Sequence, residues 1–210
     1  MYALVESGKI TKYFNHPKGF TLGDLQYPSD IFMKWSVAEK EAIGIHEVVF
    51  DDSNKKDEQW YINTNQSFAF ADGVVTASYG TAIPKAHADI TWSQDDEDDD
   101  GNLPDNKSVG DVKIEGLKTK LIRTLKSQVA NELAKTDWYI TRNTEKSTAI
   151  PSNISTHRDA VRTKQASMET AITNATDTPA LEILYTYVNT GTESNPVHER
   201  PIGELPILES

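Results

Sequence analysis

The feature that most constrains this chain is an apolar stripe between residues 114 and 133. Its members recur at intervals of three and four residues: Ile114, Leu117, Leu121, Leu125, Val129 and Leu133. Residues with this spacing lie on one face of an α-helix. The pattern predicts an amphipathic helix of about 23 residues, whose apolar face needs a partner surface.

A second stripe supplies that surface. It follows Pro151 and Ser152 and consists of Ile154, His157, Val161, Met168 and Ile172. Ser152 is predicted to be the N-cap of this second helix, because a serine oxygen can accept a hydrogen bond from an early helical N–H. Two amphipathic helices joined by a loop are expected to pack as an antiparallel hairpin over residues 111–175.

The N-terminal part of the chain has β-strand patterns instead. Two β-prone runs, 2–5 and 9–14, flank Ser7 and Gly8 and predict a hairpin. Ser36 and Glu39 have the spacing of a capping box, so a short helix is expected from 37 to 43, ended by Gly44. A strand is predicted at 45–50, and further strands at 60–63, 67–70 and 74–79 are expected to form a small antiparallel meander with a turn at 71–73. The segment 16–35 shows no clear period.

These patterns define the predicted fold class, which is α+β. A small antiparallel β-rich domain is expected at 1–93, followed by an acidic linker at 94–110 and the helical hairpin at 111–175. The last segment, 176–210, contains four prolines and is expected to be an extended C-terminal arm.

Charge and composition exclude several functions. Lys and Arg number 21 and Asp and Glu 32, giving a net charge of -11, which repels phosphate backbones and anionic lipids. No apolar run approaches the roughly 20 residues that span a bilayer, and the start lacks a basic n-region with a long apolar core. We therefore expect synthesis in the cytoplasm and neither nucleic-acid nor membrane partners. The absence of cysteine excludes disulfides and thiolate metal sites.

The acidic run contains the first half of a calcium-loop pattern. Asp96, Asp98 and Asp100 alternate and are followed by Gly101, as in the first six positions of such a loop. Lys107 stands at the twelfth position, where the loop requires a bidentate glutamate. A calcium site and a solvated linker therefore both stay open at this point.

No catalytic pattern accompanies these features. The five histidines are scattered, and the sequence has neither a glycine-rich phosphate loop nor a G-x-S-x-G elbow. His87 and Asp89 form a close histidine–carboxylate pair, which we interpret as a solvated strand end. The prediction is a protein that is not an enzyme, with no catalytic residues and, calcium aside, no cofactor.

One segment carries a resemblance. Residues 133–138 have the sequence Leu-Ala-Lys-Thr-Asp-Trp, and Pro151 precedes a helix that carries His157-Arg158 and Val161-Arg162. This arrangement, spanning about 117 to 172, resembles a module of bacteriophage tail-fibre assembly and minor tail proteins. His157 stands where that family usually has tyrosine and Val161 where it usually has leucine, and both changes preserve the packing character.

The resemblance implies a structural protein of the phage virion tail, either an adaptor or an accessory component at fibre attachment. Its partners would be other tail or fibre proteins, and it would be a homo-oligomer within an assembly. The alternative that the same resemblance implies is a tail-fibre assembly chaperone that is not retained in the virion.

Four residues of the module are candidate interface or structural residues. Asp137 is expected to cap the chain reversal, and the indole of Trp138 to cover the open end of the hairpin core. Arg158 and Arg162 lie four residues apart and are expected to reach Asp137 or Glu132. The rival interpretation places Trp138 and the arginines at the surface as anchors for a partner.

Overall fold

The computed structural model describes residues 1–104 and 106–208. The chain divides into two compact units, Met1–Ile83 and Pro84–Ser210. The strands are β1 (Tyr2–Glu6), β2 (Lys9–Phe14), β3 (Phe20–Leu22), β4 (Leu25–Tyr27), β5 (Ile45–Asp51), β6 (Tyr61–Ile62), β7 (Gln66–Ala71), β8 (Val74–Tyr79), β9 (Ile83–Pro84), β10 (Ile90–Thr91), β11 (Val112–Ile114), β12 (Val188–Asn189) and β13 (His198–Glu199). The helices are α1 (Ile31–Lys34), α2 (Val37–Ala42), α3 (Leu117–Ala134), α4 (Asp137–Lys146), α5 (Ser152–Asn174) and α6 (Thr178–Tyr185), with a 3₁₀ turn at Gln94–Asp96. The predicted α+β class, with strands first and helices after them, is confirmed.

The first unit is built on a five-stranded sheet with the order β2-β1-β5-β8-β7. Both predicted hairpins are present, β1 with β2 and β7 with β8. In the first turn Ser7 and Gly8 have φ of 51° and 75°, and in the second Asp72 and Gly73 have φ of 52° and 80°. Two consecutive residues with positive φ match the twist of the strands they join, which is why these short sequences form turns.

The strand order corrects the expected antiparallel domain, and β6, predicted as the first strand of the meander, is not part of this sheet. β5 pairs with β8 in parallel, with Val48 opposite Val75, and β7 takes the outer position. The alternation of apolar residues fixes which face of a strand is buried. It does not fix which strand lies beside it, and the long connection between β5 and β8 allows the parallel return.

The sheet buries apolar residues on both faces. Ala3, Val5, Val48, Val75 and Ala77 form one cluster, and the other consists of Leu4, Phe14, Phe20, Ile31, Phe32 and Ile45. The second cluster contains residues of the segment 16–35, which forms the β3–β4 hairpin and α1. The aromatic residues of that segment therefore have a packing role that periodicity alone does not reveal.

The helix before β5 begins and ends as predicted. The Ser36 side chain accepts a hydrogen bond from the Glu39 backbone N–H, and the Glu39 carboxylate accepts one from the Ser36 backbone N–H. Gly44 has φ of 79° and its carbonyl accepts the Val5 N–H at 2.8 Å. This geometry turns the chain from α2 into the central strand of the sheet.

In the second unit, α3 and α5 pack antiparallel, as expected. Arg158 near the start of α5 donates to the Leu133 carbonyl at the end of α3, while Lys118 at the start of α3 donates to the Thr173 carbonyl, both at 2.8 Å. Most of the predicted stripe is buried between them: Leu117, Leu125, Val129, Ile154, Val161, Met168 and Ile172.

Three details of the hairpin differ from the prediction. α3 has 18 residues because Ile114, the first member of the stripe, belongs to β11 and the helix begins only at Leu117; the expected loop contains the helix α4. The N-cap of α5 is Pro151, so Ser152 is the first helical residue and not the cap. The chain leaves the helical path at Thr136, which has φ of -119° and is almost fully buried, with 1% of its surface exposed.

The segments flanking the hairpin are more ordered than an acidic linker and an extended arm. β10 pairs with β11 across the acidic run, and the Leu117 N–H donates to the Ala86 carbonyl at 2.9 Å. Residues 84–93 thus belong to the second unit, whereas the prediction placed them in the first. In the segment 176–210, α6 begins at an N-cap formed by Asp177, and β12 pairs with β13.

Candidate functional site

The candidate site is the turn between α3 and α4, where the resemblance to the tail module is concentrated. We call it the tryptophan turn and define it as residues 132–142 together with His157 and Arg158 of α5. The antiparallel packing of α3 and α5 brings the end of one helix to the start of the other, so residues more than 20 positions apart in the sequence meet here.

Arg158 is the centre of the tryptophan turn. Its Nη1 donates to the Leu133 carbonyl at 2.8 Å, to Thr136 Oγ1 at 2.7 Å and to Asp137 Oδ1 at 2.8 Å. The residue is 8% exposed, so its charge has left water and depends on these acceptors. The predicted contact between Arg158 and Asp137 is therefore confirmed.

The three acceptors of Arg158 have different roles. Leu133 is in the last turn of α3, where a helix leaves carbonyl groups without internal partners. The Thr136 hydroxyl also donates to the Leu133 carbonyl at 3.0 Å, so it is engaged on both sides. Asp137 is the first residue of α4, and its carboxylate binds the guanidinium of Arg158.

Arg162 does not take part in the tryptophan turn. Its Nη1 lies 3.4 Å from Asp159 Oδ1, one turn earlier on the same helix, and half of its side chain is exposed. The expected contact with Asp137 or Glu132 is not formed. The sequence spacing placed both arginines on one face, but only Arg158 is close enough to the end of α3.

His157 and Glu132 form a second contact beside Arg158. His157 Nε2 lies 3.2 Å from Glu132 Oε1, and Lys135 Nζ lies 2.5 Å from the other oxygen of that carboxylate. The hydrogen bond from Lys135 and the neighbouring His157 lower the pKa of Glu132, against the opposing effect of its desolvation. The sequence indicated neither partner, because His157 was interpreted only as a member of the apolar stripe.

Trp138 lies at the surface of the tryptophan turn. It is 51% exposed, so the prediction that its indole covers the hairpin core is wrong. Its ring centroid lies 3.8 Å from that of Tyr139, and the Arg142 guanidinium lies 5.8 Å from the indole centroid. A half-exposed tryptophan held by two neighbours suits the rival interpretation, in which it is an anchor for a partner.

The contacts of this cluster stabilise the chain reversal between α3 and α4. The hydroxyl of Thr136 and the carboxylate of Asp137 are both held by Arg158. Among residues 1–104 and 106–208, no group of three or more histidine and acidic side chains is arranged to hold a metal ion. At this turn the half-exposed Trp138 lies against Tyr139 and near Arg142, where a partner protein could contact it.

The calcium-loop residues lie elsewhere in the second unit. Asp96 accepts the Ser93 N–H at 3.1 Å and forms an ion pair with Lys113. The hydrogen bond from Lys113, and after it that from the Ser93 backbone, lower the pKa of Asp96. Asp98 accepts the N–H groups of Asp100 and Asn102 at 3.1 and 2.8 Å.

Asp96 and Asp98 are therefore both engaged by groups of this unit. Calcium binding by Asp96, Asp98 and Asp100 stays a hypothesis, and it would require Asp96 to leave Lys113. The structure therefore favours an ordered surface loop whose conformation Asp96 and Asp98 stabilise.

Comparisons with known proteins complete the description of this site. No family model, no curated protein and no solved structure matches the chain. No helix among the described residues is long and apolar enough to cross a membrane.

Proposed function

We propose that this protein is a structural component of a bacteriophage tail, an adaptor or accessory component at fibre attachment that acts through protein–protein contacts. The sequence resemblance is the origin of the proposal. The observation that carries it is the tryptophan turn, in which a buried arginine fixes the chain reversal and Trp138 is left half exposed. Exposed tryptophans on rigid supports are frequent hot spots of protein interfaces.

The alternative is a tail-fibre assembly chaperone that leaves before the particle is complete. The same exposed tryptophan would then bind a fibre protein transiently. The two proposals share the interface and differ in whether the protein stays in the virion.

Mass spectrometry of purified virions separates these proposals. We expect peptides of this chain at a copy number comparable to that of other tail proteins. Their presence in infected-cell extracts and absence from the particles would favour the chaperone, and their absence from phage infection altogether would contradict both.

A substitution tests the interface itself. Trp138→Ala is expected to reduce incorporation into virions at least about 10-fold, because a hot-spot side chain contributes about 2 kcal/mol or more to binding. Ile183→Ala is the matched control, since Ile183 is 64% exposed in the same unit and lies outside the tryptophan turn. Equal incorporation of the two variants would remove Trp138 from the interface.

A further inference from the structure

We propose that a basic pocket of the first unit binds the acidic run 95–100 of a second copy of this chain, so that copies associate head to tail. The basic pocket is the cavity of about 220 Å³ bounded by Lys12, His16 and Lys18. The contact is independent of the tail function and would hold for any protein with this structure.

The basic pocket is formed where β2 ends and the chain turns toward β3. Its floor is apolar, because Phe14 is 4% exposed there, and Lys12 Nζ lies 5.4 Å from the centroid of that ring. A carboxylate bound beside such a floor loses part of its water, which strengthens its attraction to the surrounding cations.

The two lysines of the basic pocket lack an acidic partner. The sequence from 7 to 23 contains three lysines and no Asp or Glu. Within the described residues, Lys12, His16 and Lys18 take part in none of the ion pairs, which involve other groups. The positive charge of Lys12 and Lys18 is therefore directed to solvent in a protein whose net charge is -11.

The acidic run has an excess of negative charge. Residues 95–100 are six consecutive carboxylates, of which Asp96 and Asp98 are used by the loop itself. Asp95, Asp99 and Asp100 are exposed, and their side chains accept none of the hydrogen bonds of the described loop. The acidic run of a second copy therefore carries the charge opposite to that of the basic pocket. Because every chain has one pocket and one run, the two are present at equal concentration.

This contact joins two different surfaces, so it is not two-fold symmetric. Repeating it produces a ring if the rotation closes and a filament if it does not. Because each copy is strongly negative, the attraction acts only at short range and competes with a general repulsion. The contact joins exposed, oppositely charged groups, whose attraction is screened by salt, so it should weaken as the salt concentration rises.

Sedimentation velocity of the full chain tests the proposal. We expect concentration-dependent association in about 50 mM NaCl and its loss in about 500 mM NaCl, where the screening length falls to a few ångströms. Two variants reverse one partner each: Lys12→Glu with Lys18→Glu, and Asp99→Lys with Asp100→Lys. Each alone should lose association at least about 10-fold, a change worth about 1.4 kcal/mol.

The decisive sample is an equimolar mixture of the two charge-reversed variants. The reversed pocket then faces a reversed run, while the native pocket faces the native run, so association should return. Lys55→Glu with Lys56→Glu is the matched control, because it changes the charge of the first unit equally and leaves the basic pocket intact. Circular dichroism checks that every variant folds.

A competition experiment covers the case of a variant that does not fold. A synthetic peptide of residues 94–101 should dissociate the wild-type chain, whereas a peptide with Asn and Gln in place of Asp and Glu should not. A wild-type chain that stays monomeric in low salt, a mixture that fails to associate, or a control variant that fails equally would overturn the proposal.

Discussion

Arg158 stabilises the turn between α3 and α4, although it lies more than 20 residues away in the sequence. Its single Nη1 atom connects the end of α3, the buried Thr136 and the first residue of α4. Arginine suits this position because its guanidinium stays charged and offers fixed donors. The rest of the tryptophan turn depends on it.

Arg158→Ala is expected to lower the free energy of unfolding by about 2–3 kcal/mol, because it removes the charged donor of the buried Thr136 hydroxyl oxygen and of the Asp137 carboxylate. The exposure of Asp137, whose side chain is 60% exposed, keeps the value below that of a fully buried ion pair. Urea denaturation measures the change. Arg162→Ala should change the free energy of unfolding by no more than about 0.5 kcal/mol. Similar losses in the two variants would contradict the stabilising role of Arg158.

Glu132 makes part of the stability depend on pH. Its pKa is lower in the folded protein than its ordinary value of 4.5, so the folded state binds its proton less readily than the unfolded state. This stabilisation is present above the ordinary pKa and is lost as the pH falls through the lowered value. Glu132→Gln should flatten the decrease in stability below about pH 4.5, as measured by urea denaturation at several pH values. An unchanged pH profile would show that the contacts with Lys135 and His157 contribute nothing.

At the scale of elements, the connection between α2 and β5 places the central strand. Gly44 has φ of +79°, and a Cβ atom there would lie 2.4 Å from the Val5 carbonyl oxygen. Both the backbone conformation and the close approach require glycine. The position of β5 beside β1 therefore depends on this residue.

Gly44→Ala is expected to destabilise the first unit by more than about 2 kcal/mol, because the strained φ and the clash add. Gly8→Ala is the matched control, since Gly8 has a φ of +75° with nothing within 4 Å of the added Cβ, and it should cost about 1 kcal/mol. Thermal unfolding of the two variants compares them. Equal effects would mean that the turn yields to the added methyl group.

At the scale of the whole molecule, the acidic run lies inside the second unit and does not separate two domains. β10 and β11 pair on either side of it, and the Asp89 carboxylate accepts the Gly116 N–H at 2.7 Å and the Thr119 hydroxyl at 2.9 Å. The Thr178 hydroxyl donates to the Lys85 carbonyl at 2.6 Å. These contacts tie residues 84–93 to the helices.

Limited proteolysis distinguishes this arrangement from a linker between independent domains. A protease specific for acidic residues should cut first within 95–100, where the backbone is exposed. The two fragments should stay together in native size-exclusion chromatography and separate only in denaturant. Fragments that separate without denaturant would support the division at residues 94–110 expected from the sequence.

The sequence by itself determined the elements whose signals are local. The two apolar stripes, the capping box at Ser36 and the turns at Ser7-Gly8 and Asp72-Gly73 depend on residues within about one helical turn or one hairpin of each other. For the same reason the α+β class and the antiparallel hairpin of α3 and α5 were predictable.

Only the tertiary structure decided which distant groups meet. It made β5 and β8 parallel, inserted α4 into the expected loop and chose Arg158 over Arg162 as the partner of Asp137. It also left Trp138 at the surface. The physical reason is that periodicity specifies the face on which a side chain lies, whereas its partner depends on distances across the fold that no local pattern contains.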